Sequence, residues 1–316
     1  MTNNYDINLA DYKRFENEND DAPRFERAIS AAAGRVLYVP CGEYIISSPI
    51  IIKNNTSLLM HPKAKLIANR EMDYVLSCYL NYKAFDLDDL NAFVTGGIID
   101  GNGLASGMFI TGCNHFTVSN ISFINGKKYG FRAQKPGYEL IANNLYCRCN
   151  MSGLAGNTGI SIDMGDSHYT DCIVVDYTVG MEVSSGSCRL TRCHVWGGPI
   201  PPKEEGGIPE MLENSVCFKV LVCDGNDCLL RDCYADTANV GFEIHDNTRL
   251  AGCAYLNNPV FRLDDITVID HQWGYLNVYD GFFRVCHNHG VLYRGKNKNV
   301  KWGDNYVEGI ETEFAE

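Results

Sequence analysis

A repeat of three short strands is the feature that most constrains the fold of this 316-residue chain. Six segments share one pattern, a short strand, a turn residue and a second short strand: FTVSNISF, ELIANNLY, HYTDCIVV, RLTRCHVW, LLRDCYAD and RLAGCAYL. Their turn residues follow one another mostly at 20 to 28 residues, with one spacing of 40. A third short strand follows each segment. This period is typical of a parallel β-helix, a solenoid whose coils stack in register.

The turn positions of the repeat carry two kinds of residue. In order along the chain they are Asn120, Asn144, Cys172, Cys193, Cys233 and Cys253. Because stacked coils place like residues on like, we expect an amide ladder of asparagines and a packed column of thiols. The fourteen cysteines show no paired CxxC spacing, which disfavours zinc. We therefore predict reduced, stacked cysteines, with no metal and no cofactor.

One stretch near the N-terminus has helical rather than β periodicity. In NDDAPRFERAISAAAG, Asp20 or Asp21 can cap a helix, Pro23 suits its first turn, and Gly34 ends it. The sequence predicts a helix over about 20–33. The predicted organisation is an N-terminal segment with a capping helix over 1–34 and a β-helix over 35–316, together one structural domain.

The charge and hydropathy of the chain limit the kinds of molecule that it can bind. The net charge of −12 is spread along the chain, which argues against nucleic acid because phosphate binding needs a basic footprint. No segment approaches the ~18 continuous apolar residues of a membrane span. The N-terminus lacks the basic and apolar regions of a secretory signal, and with so many cysteines we expect a cytoplasmic protein. A homo-oligomer, dimer or trimer, stays open.

The outward face of the third strands is rich in charged and hydrogen-bonding side chains. These strands are assigned to YGFRAQ, TGISID, VGMEVS, VCFKVL, VGFEIH, PVFRLD and GFFRVC. Side chains alternate between core and solvent along a strand. One outward column then contains Arg132, Ser161, Glu182, Lys219, Glu243, Arg262 and Arg284. The next contains Gln134, Asp163, Ser184, Leu221, His245, Asp264 and Cys286. Two loops, 151–157 and 197–214, would wall this face, and Trp196 at the start of the longer loop could stack on a ligand or pack under the loop.

The order of helix, VLYVPCGEY, GGIIDGNG and repeated coils resembles the pectate-lyase-like superfamily of right-handed parallel β-helices. IIDGNG in particular resembles the turn that opens the catalytic coils of polygalacturonase-type glycoside hydrolases. The resemblance implies an all-β, single-stranded right-handed β-helix with a capping helix, acting on polysaccharides or oligosaccharides. The family's catalytic motif is incomplete, since NTGISID has Gly159 where the family has Asp, the next coil, TVGMEVS, has no Asp pair, and no Gly-His-Gly follows.

Paired carboxylates on one face fit glycoside hydrolysis. With coils ~4.8 Å apart, the Cα atoms of Asp163 and Glu182 are expected about 8 Å apart. Those of Glu182 and Glu243 are expected about 9.6 Å apart, with Lys219 between them. We predict Asp163, Glu182 and Glu243 as catalytic residues of a glycoside hydrolase or glycosyl transferase, fructosyl transfer included. Substrate-binding residues are predicted to be Arg132, Lys219, His245, Arg262, Asp264 and Trp196.

Two other functions are compatible with the same face. In a polysaccharide lyase or uronate epimerase, arginines or Lys219 would neutralise a uronate carboxylate while a basic group takes the C5 proton. A non-catalytic binding or fibre module would need none of these residues, and their alternating charges would form only an exposed ion ladder.

Overall fold

The computed structural model describes residues 6–316 except 54, 81–90, 152, 153, 155, 201–205, 208–211, 222–226, 259, 262, 264, 287–289, 296–298, 311 and 316. The chain divides into two compact units, Met1–Arg148 and Cys149–Glu316. Each unit is built from parallel strands in three sheets, and each coil contributes one strand to each sheet in turn. The predicted parallel β-helix is therefore confirmed.

The predicted N-terminal helix is present over Ala22–Ala31, after a short 3₁₀ turn at Leu9–Asp11. Oδ1 of Asp20 accepts a hydrogen bond from the backbone N–H of Ala22, and Pro23 occupies the first turn. Phe25 buries its ring edge-on against Tyr44, with 5.5 Å between ring centroids. In the described residues no helix is long and apolar enough to cross a membrane.

In its described residues the N-terminal unit contains fifteen strands. Its first sheet comprises Ile7–Asn8, Val36–Val39, Ser57–Met60, Phe93–Thr95, Thr117–Ser119 and Ile141–Asn143. Its second sheet comprises Gly42–Ile46, Ala64–Ala68, Ile98–Asp100, Ser122–Ile124 and Tyr146–Arg148. Its third sheet comprises Ile50–Ile52, Tyr74–Tyr79, Ser106–Asn114 and Tyr129–Tyr138. The GGIIDGNG stretch supplies the second-sheet strand Ile98–Asp100. Nζ of Lys65, on the neighbouring strand Ala64–Ala68, lies 2.9 Å from Oδ2 of the buried Asp100.

The part of the C-terminal unit that the structure describes contains nineteen strands. Its first sheet comprises His168–Thr170, Arg189–Thr191, Cys228–Arg231, Thr248–Ala251, Leu276–Tyr279 and Val300–Trp302. Its second sheet comprises Ile173–Val175, His194–Trp196, Tyr234–Asp236, Ala254–Leu256, Phe282–Arg284 and Tyr306–Glu308. Its third sheet comprises Thr158–Gly165, Val179–Val183, Val216–Val220, Val240–Ile244, Ile266–His271, Gly290–Arg294 and Thr312–Ala315.

The core of the C-terminal unit is a set of stacked side chains, as the alternation predicts. Met181, Phe218 and Phe242 stand in register on the third sheet, and the two phenyl rings stack at 5.4 Å. The next residue in this column is Ile269, not Phe261 as the sequence pattern indicated. The segment PVFRLD precedes the true strand, and GFFRVC overlaps the second-sheet strand Phe282–Arg284. These two third-strand assignments were wrong.

The turn between the first and second sheets has two residues with different roles. The first is left-handed, as in Asn144 (φ 52°) and Asp171 (φ 55°), a conformation that Asn, Asp and Gly tolerate best. The second points into the core, as Cys172 does. Asparagines and cysteines therefore occupy adjacent turn positions, not the single column expected. The amide ladder does form, because Nδ2 of Asn144 donates to Oδ1 of Asn120 at 2.9 Å.

The four turn cysteines stack as predicted. Cys193 forms side-chain hydrogen bonds with Cys172 and Cys233, and Cys233 forms another with Cys253. Each Sγ also contacts the carbonyl two residues before it, at 3.5 to 3.7 Å. None of the thirteen cysteines in the described chain forms a disulfide bond.

Candidate functional site

The outward face of the third sheet in the C-terminal unit carries one column of charged side chains. Register places Glu182, Lys219, Glu243, Asp270 and Arg294 on five successive strands. The predicted placement of Lys219 between the two glutamates is confirmed. Backbone alternation fixes this column, because the neighbours of Glu182, Lys219 and Glu243 along their strands are buried apolar residues.

Three of the predicted residues meet in what we call the Glu243 cluster, defined as Lys219, Glu243 and His245. Nζ of Lys219 lies 3.1 Å and Nε2 of His245 lies 2.6 Å from Oε1 of Glu243. Glu243 is the most covered of the three side chains, at 16% exposure against 25% for Lys219 and 31% for His245. One carboxylate oxygen thus accepts from two donors, while the imidazole remains the part most open to a ligand.

The flanking carboxylates have different surroundings from Glu243. Glu182 is half-buried and has no ion-pair or hydrogen-bond partner among the residues that the structure describes. On the other side, Nε2 of Gln272 donates to Oδ1 of Asp270. Glu182, Glu243 and Asp270 thus lie on one face with different partners, and acid–base catalysis depends on carboxyl groups in unlike surroundings.

Two residues beside this cluster escaped sequence analysis. Trp273 follows the strand Ile266–His271 and exposes 61% of its surface. His271, fully buried behind the sheet, has Nδ1 at 2.8 Å from the Tyr293 hydroxyl and Nε2 at 2.9 Å from the Trp273 carbonyl. Burial lowers the pKa of His271, so the ring is neutral at physiological pH. Asp270 was missed for the same reason as these two residues, because ITVIDH was not assigned as a third strand. That assignment would have located both Asp270 and Trp273.

The other predicted site residues do not join the Glu243 cluster. Arg262 and Asp264 lie outside the described residues, as does much of the two loops, 151–157 and 197–214. Arg284 lies on the second sheet with Glu308, 3.5 Å away. Trp196 also lies on the second sheet, where it is half-buried and edge-on to Phe261 with 5.8 Å between centroids. Its role in substrate binding stays a prediction.

Asp163 lies on the third-sheet strand that carries Ser161, which is in register with Glu182. It is half-buried and close enough to Cys188 to contribute to the raised pKa of that thiol, about 12, whose main cause is burial. Asp163 is thus one coil and two residues from Glu182, as expected. Its catalytic role stays a prediction.

The NTG segment that resembles the polygalacturonase motif points inward. Asn157 is buried, and its Oδ1 accepts a hydrogen bond from the backbone of Thr178 in the next coil at 3.0 Å. A Cβ atom on Gly159 would lie 2.2 Å from Cγ1 of Val174. These residues are structural, and the position holds no room for the family's aspartate.

Arg132 lies in the N-terminal unit, in a pocket of about 650 Å³ lined by residues that include Glu71, Tyr74, Lys127, Lys128, Tyr129 and Arg132. Its guanidinium lies 4.8 Å from the centre of the Tyr129 ring and hydrogen-bonds Tyr74. Tyr74 in turn stacks on Phe109, with 5.0 Å between centroids. Aromatic faces beside a guanidinium suit a sugar ring that carries an acceptor group.

Within the described residues no group of three or more His, Cys, Asp and Glu side chains could hold a metal ion.

No model of a known protein family matches the chain, and no curated protein matches it in sequence. Solved structures do match in fold. The A-module of Azotobacter vinelandii mannuronan C-5 epimerase AlgE4 has a TM-score of 0.66 at 13% identity, covering 98% of this chain and 97% of that chain. PfbA, a surface adhesin of Streptococcus pneumoniae, has a TM-score of 0.67 at 13% identity, covering 98% and 93%. An endo-xylogalacturonan hydrolase from Aspergillus tubingensis has a TM-score of 0.55 at 12% identity, covering 98% and 92%.

These likenesses confirm the fold expected from the resemblance, a right-handed parallel β-helix of the kind found in carbohydrate-active proteins. Identities this low show the fold alone. Two of the three proteins named are carbohydrate-processing enzymes and the third is an adhesin, so the fold leaves the activity to be argued from the side chains.

Proposed function

We propose that this protein is an enzyme that cleaves a glycosidic bond of an oligosaccharide or polysaccharide on the outward face of its third sheet. The observation that carries the proposal is the Glu243 cluster, in which one carboxylate oxygen accepts from both Lys219 and His245. The second carboxylate in the same column, on Glu182, has no such partners in the described chain.

In the proposed reaction Glu243 acts as the base and Glu182 as the acid. Lys219 and His245 hold one carboxylate oxygen of Glu243 and leave the other, which has no partner among the described residues, to take a proton from an attacking water. Glu182 would protonate the glycosidic oxygen as the bond breaks. Two coils separate these residues, and their Cα atoms are about 9.6 Å apart on sheet geometry. Carboxyl groups on parallel side chains at that spacing are farther apart than the ~5 to 5.5 Å of a retaining pair, so inversion at the anomeric carbon is expected.

Trp273 would bind the substrate beside these groups. Its exposed indole is an apolar surface of the kind that stacks on a sugar ring, and it lies two residues beyond the strand that carries Asp270. Asp163 joins Glu182, Glu243 and Asp270 as a fourth carboxylate of the proposed site.

The experiment is an assay for new reducing ends on a panel of neutral and uronic oligosaccharides, followed by proton NMR of the first-formed anomer. Glu243→Gln and Glu182→Gln should keep the fold and reduce turnover by about 10² to 10⁴, the range of general acid–base catalysis. Glu308→Gln is the matched control, because Glu308 is exposed on the second sheet and belongs to no part of the site. Full activity in Asp163→Asn, Glu182→Gln and Glu243→Gln would disprove the proposal.

A second candidate is eliminative cleavage or epimerisation of a uronate, favoured by the 2.6 Å contact between His245 and Glu243. If Nε2 donates to the carboxylate, Nδ1 of the neutral ring is an acceptor that can take the C5 proton. Elimination would give unsaturated products that absorb in the ultraviolet, and epimerisation would exchange the C5 proton with solvent deuterium. If either signal is found in the native protein and disappears in His245→Gln, elimination or epimerisation would replace hydrolysis as the assigned reaction.

A further inference from the structure

A second polar pocket lies on the first sheet of the C-terminal unit, a different sheet from the one that carries the Glu243 cluster. It has a volume of about 440 Å³ and is lined by Arg249, Tyr275, Asn277, Asn299, Val300 and Lys301. Register places Arg249, Asn277 and Lys301 on three successive strands. With coils about 4.8 Å apart, the Cα atoms of the two cationic residues are separated by about 9.6 Å, with an amide between them.

An aspartate fixes one wall of this pocket. Nη2 of Arg249 lies 2.6 Å from Oδ2 of Asp227, and the Tyr275 hydroxyl donates to Oδ1 of the same carboxylate. The backbone N–H of Tyr275 donates to Oδ1 of Asn247 at 3.1 Å. Burial and the hydrogen bond to Asp227 raise the pKa of Tyr275, so its hydroxyl stays protonated at neutral pH. Asp227 is therefore engaged with the protein's own donors, and Arg249 and Tyr275 are held in place.

The pocket then has an excess of hydrogen-bond donors. Lys301 is exposed and has no carboxylate partner among the residues that the structure describes. Arg249 has five N–H groups, of which the contact with Asp227 uses only part, and Asn277 adds an amide. A pocket rich in charged donors, with the carboxylate of Asp227 already engaged, favours a ligand group that only accepts, such as a carboxylate or a sulfate ester.

The remaining lining favours a sugar over nucleic acid. Asn277, Asn299 and Tyr275 are neutral groups that can hydrogen-bond hydroxyls, and the tyrosine adds an aromatic face. Among the described residues two cations line the pocket, and the chain carries a net charge of −12, which is a poor footprint for a phosphate backbone.

We propose that this pocket is a binding site for an acidic saccharide, with Lys301 and Arg249 contacting its carboxylate or sulfate group and Asn277 its hydroxyls. The site goes beyond the proposed catalytic function, and a glycan bound there would be held on a sheet that does not carry the Glu243 cluster.

The test is isothermal titration calorimetry with four probes: trigalacturonate, a sulfated disaccharide, neutral xylotriose and inorganic sulfate. Lys301→Gln should weaken binding of an acidic sugar by about tenfold or more, since a hydrogen bond to a charged group is worth at least that factor. Arg189→Gln is the matched control, because Arg189 is exposed on the same sheet but does not line the pocket. The effect of Lys301→Gln should fall as salt concentration rises.

An oligonucleotide of equal charge is titrated as a fifth probe. Four results would overturn the proposal: xylotriose binding as tightly as both acidic sugars, inorganic sulfate binding as tightly as either of them, the oligonucleotide binding more tightly, or equal losses in Lys301→Gln and Arg189→Gln. Tyr275→Phe keeps the ring and removes the hydroxyl that contacts Asp227, so it gives a second variant if Lys301→Gln fails to fold. The titrations are repeated in a Glu243→Gln background, which disables the proposed catalytic site. A loss caused by Lys301→Gln that persists there belongs to the first-sheet pocket whatever the fate of the catalytic proposal, and a loss that disappears there would overturn this site.

Discussion

Gly159 offers a quantitative test of how tightly the coils pack. A Cβ atom added there would lie 2.2 Å from Cγ1 of Val174, 2.9 Å from the carbonyl oxygen of Gly180 and 3.3 Å from Cδ2 of Tyr177. Overpacking of a core costs about 1–3 kcal/mol, and the loss of unfolded-state entropy from Gly to Ala offsets about 0.4–1 kcal/mol. Gly159→Ala should therefore lower the free energy of unfolding by about 1–2 kcal/mol, as measured by urea denaturation.

The clash is mainly with one side chain, so it can be relieved. In a Val174→Ala background the 2.2 Å contact disappears and the 2.9 Å contact with the Gly180 carbonyl remains. Gly159→Ala should then cost less than in the native chain, giving a coupling energy of about 1 kcal/mol in a double-mutant cycle. An equal cost in both backgrounds, or no cost in either, would refute the inward orientation of Gly159. Gly159→Asp should prevent folding, because it buries a carboxylate without a partner.

Three further outcomes are expected. A thiol count on freshly purified, denatured protein should find Cys172, Cys193, Cys233 and Cys253 reduced, and a count showing most cysteines oxidised would contradict the stacked thiol column. Burial lowers the pKa of His271 below its unfolded value of about 6.5. Below that pH the unfolded state binds more protons than the folded state. The free energy of unfolding should therefore fall on acidification from about pH 6.5 until the folded pKa is reached. His271→Gln should flatten that part of the plot of melting temperature against pH, and an unchanged slope would show that another group causes it. Asn144→Ala should destabilise the protein by about 1–2 kcal/mol, because alanine is strained in the left-handed conformation and the ladder hydrogen bond is lost. Asn144→Gly should cost less, because it loses only the hydrogen bond. Equal free energies of unfolding for the two variants would count against the left-handed turn.

The repeat and the capping helix were predictable because local rules determine both. Asp20, Pro23 and Gly34 mark the ends of a helix whatever it packs against. Alternation around Met181, Phe218 and Phe242 identified the strands and their inward faces, since a parallel β-helix buries one face of every strand. Register within the repeat then placed Lys219 between Glu182 and Glu243.

Membership of a particular sheet was harder to predict, because alternation is the same in all three sheets. Phe282–Arg284 alternates like a third-sheet strand but belongs to the second, and the third-sheet strand of its coil is Gly290–Arg294. The same ambiguity hid Ile266–His271 behind PVFRLD. Only the lengths of the intervening turns separate these assignments, and turn length varies from coil to coil.

The contacts within the candidate site could not be predicted from register, because they depend on side-chain direction. Register brings Glu243 equally close to Lys219 and Asp270 along the column, and it places His245 two residues away on the same strand. In the structure the carboxylate turns to Lys219 and His245, while Asp270 is bound by Gln272. That choice gives one carboxylate two donors and leaves Glu182 without a described partner. Catalysis by two carboxylates requires such an inequality, and stacked coils alone, which repeat like environments, do not supply it.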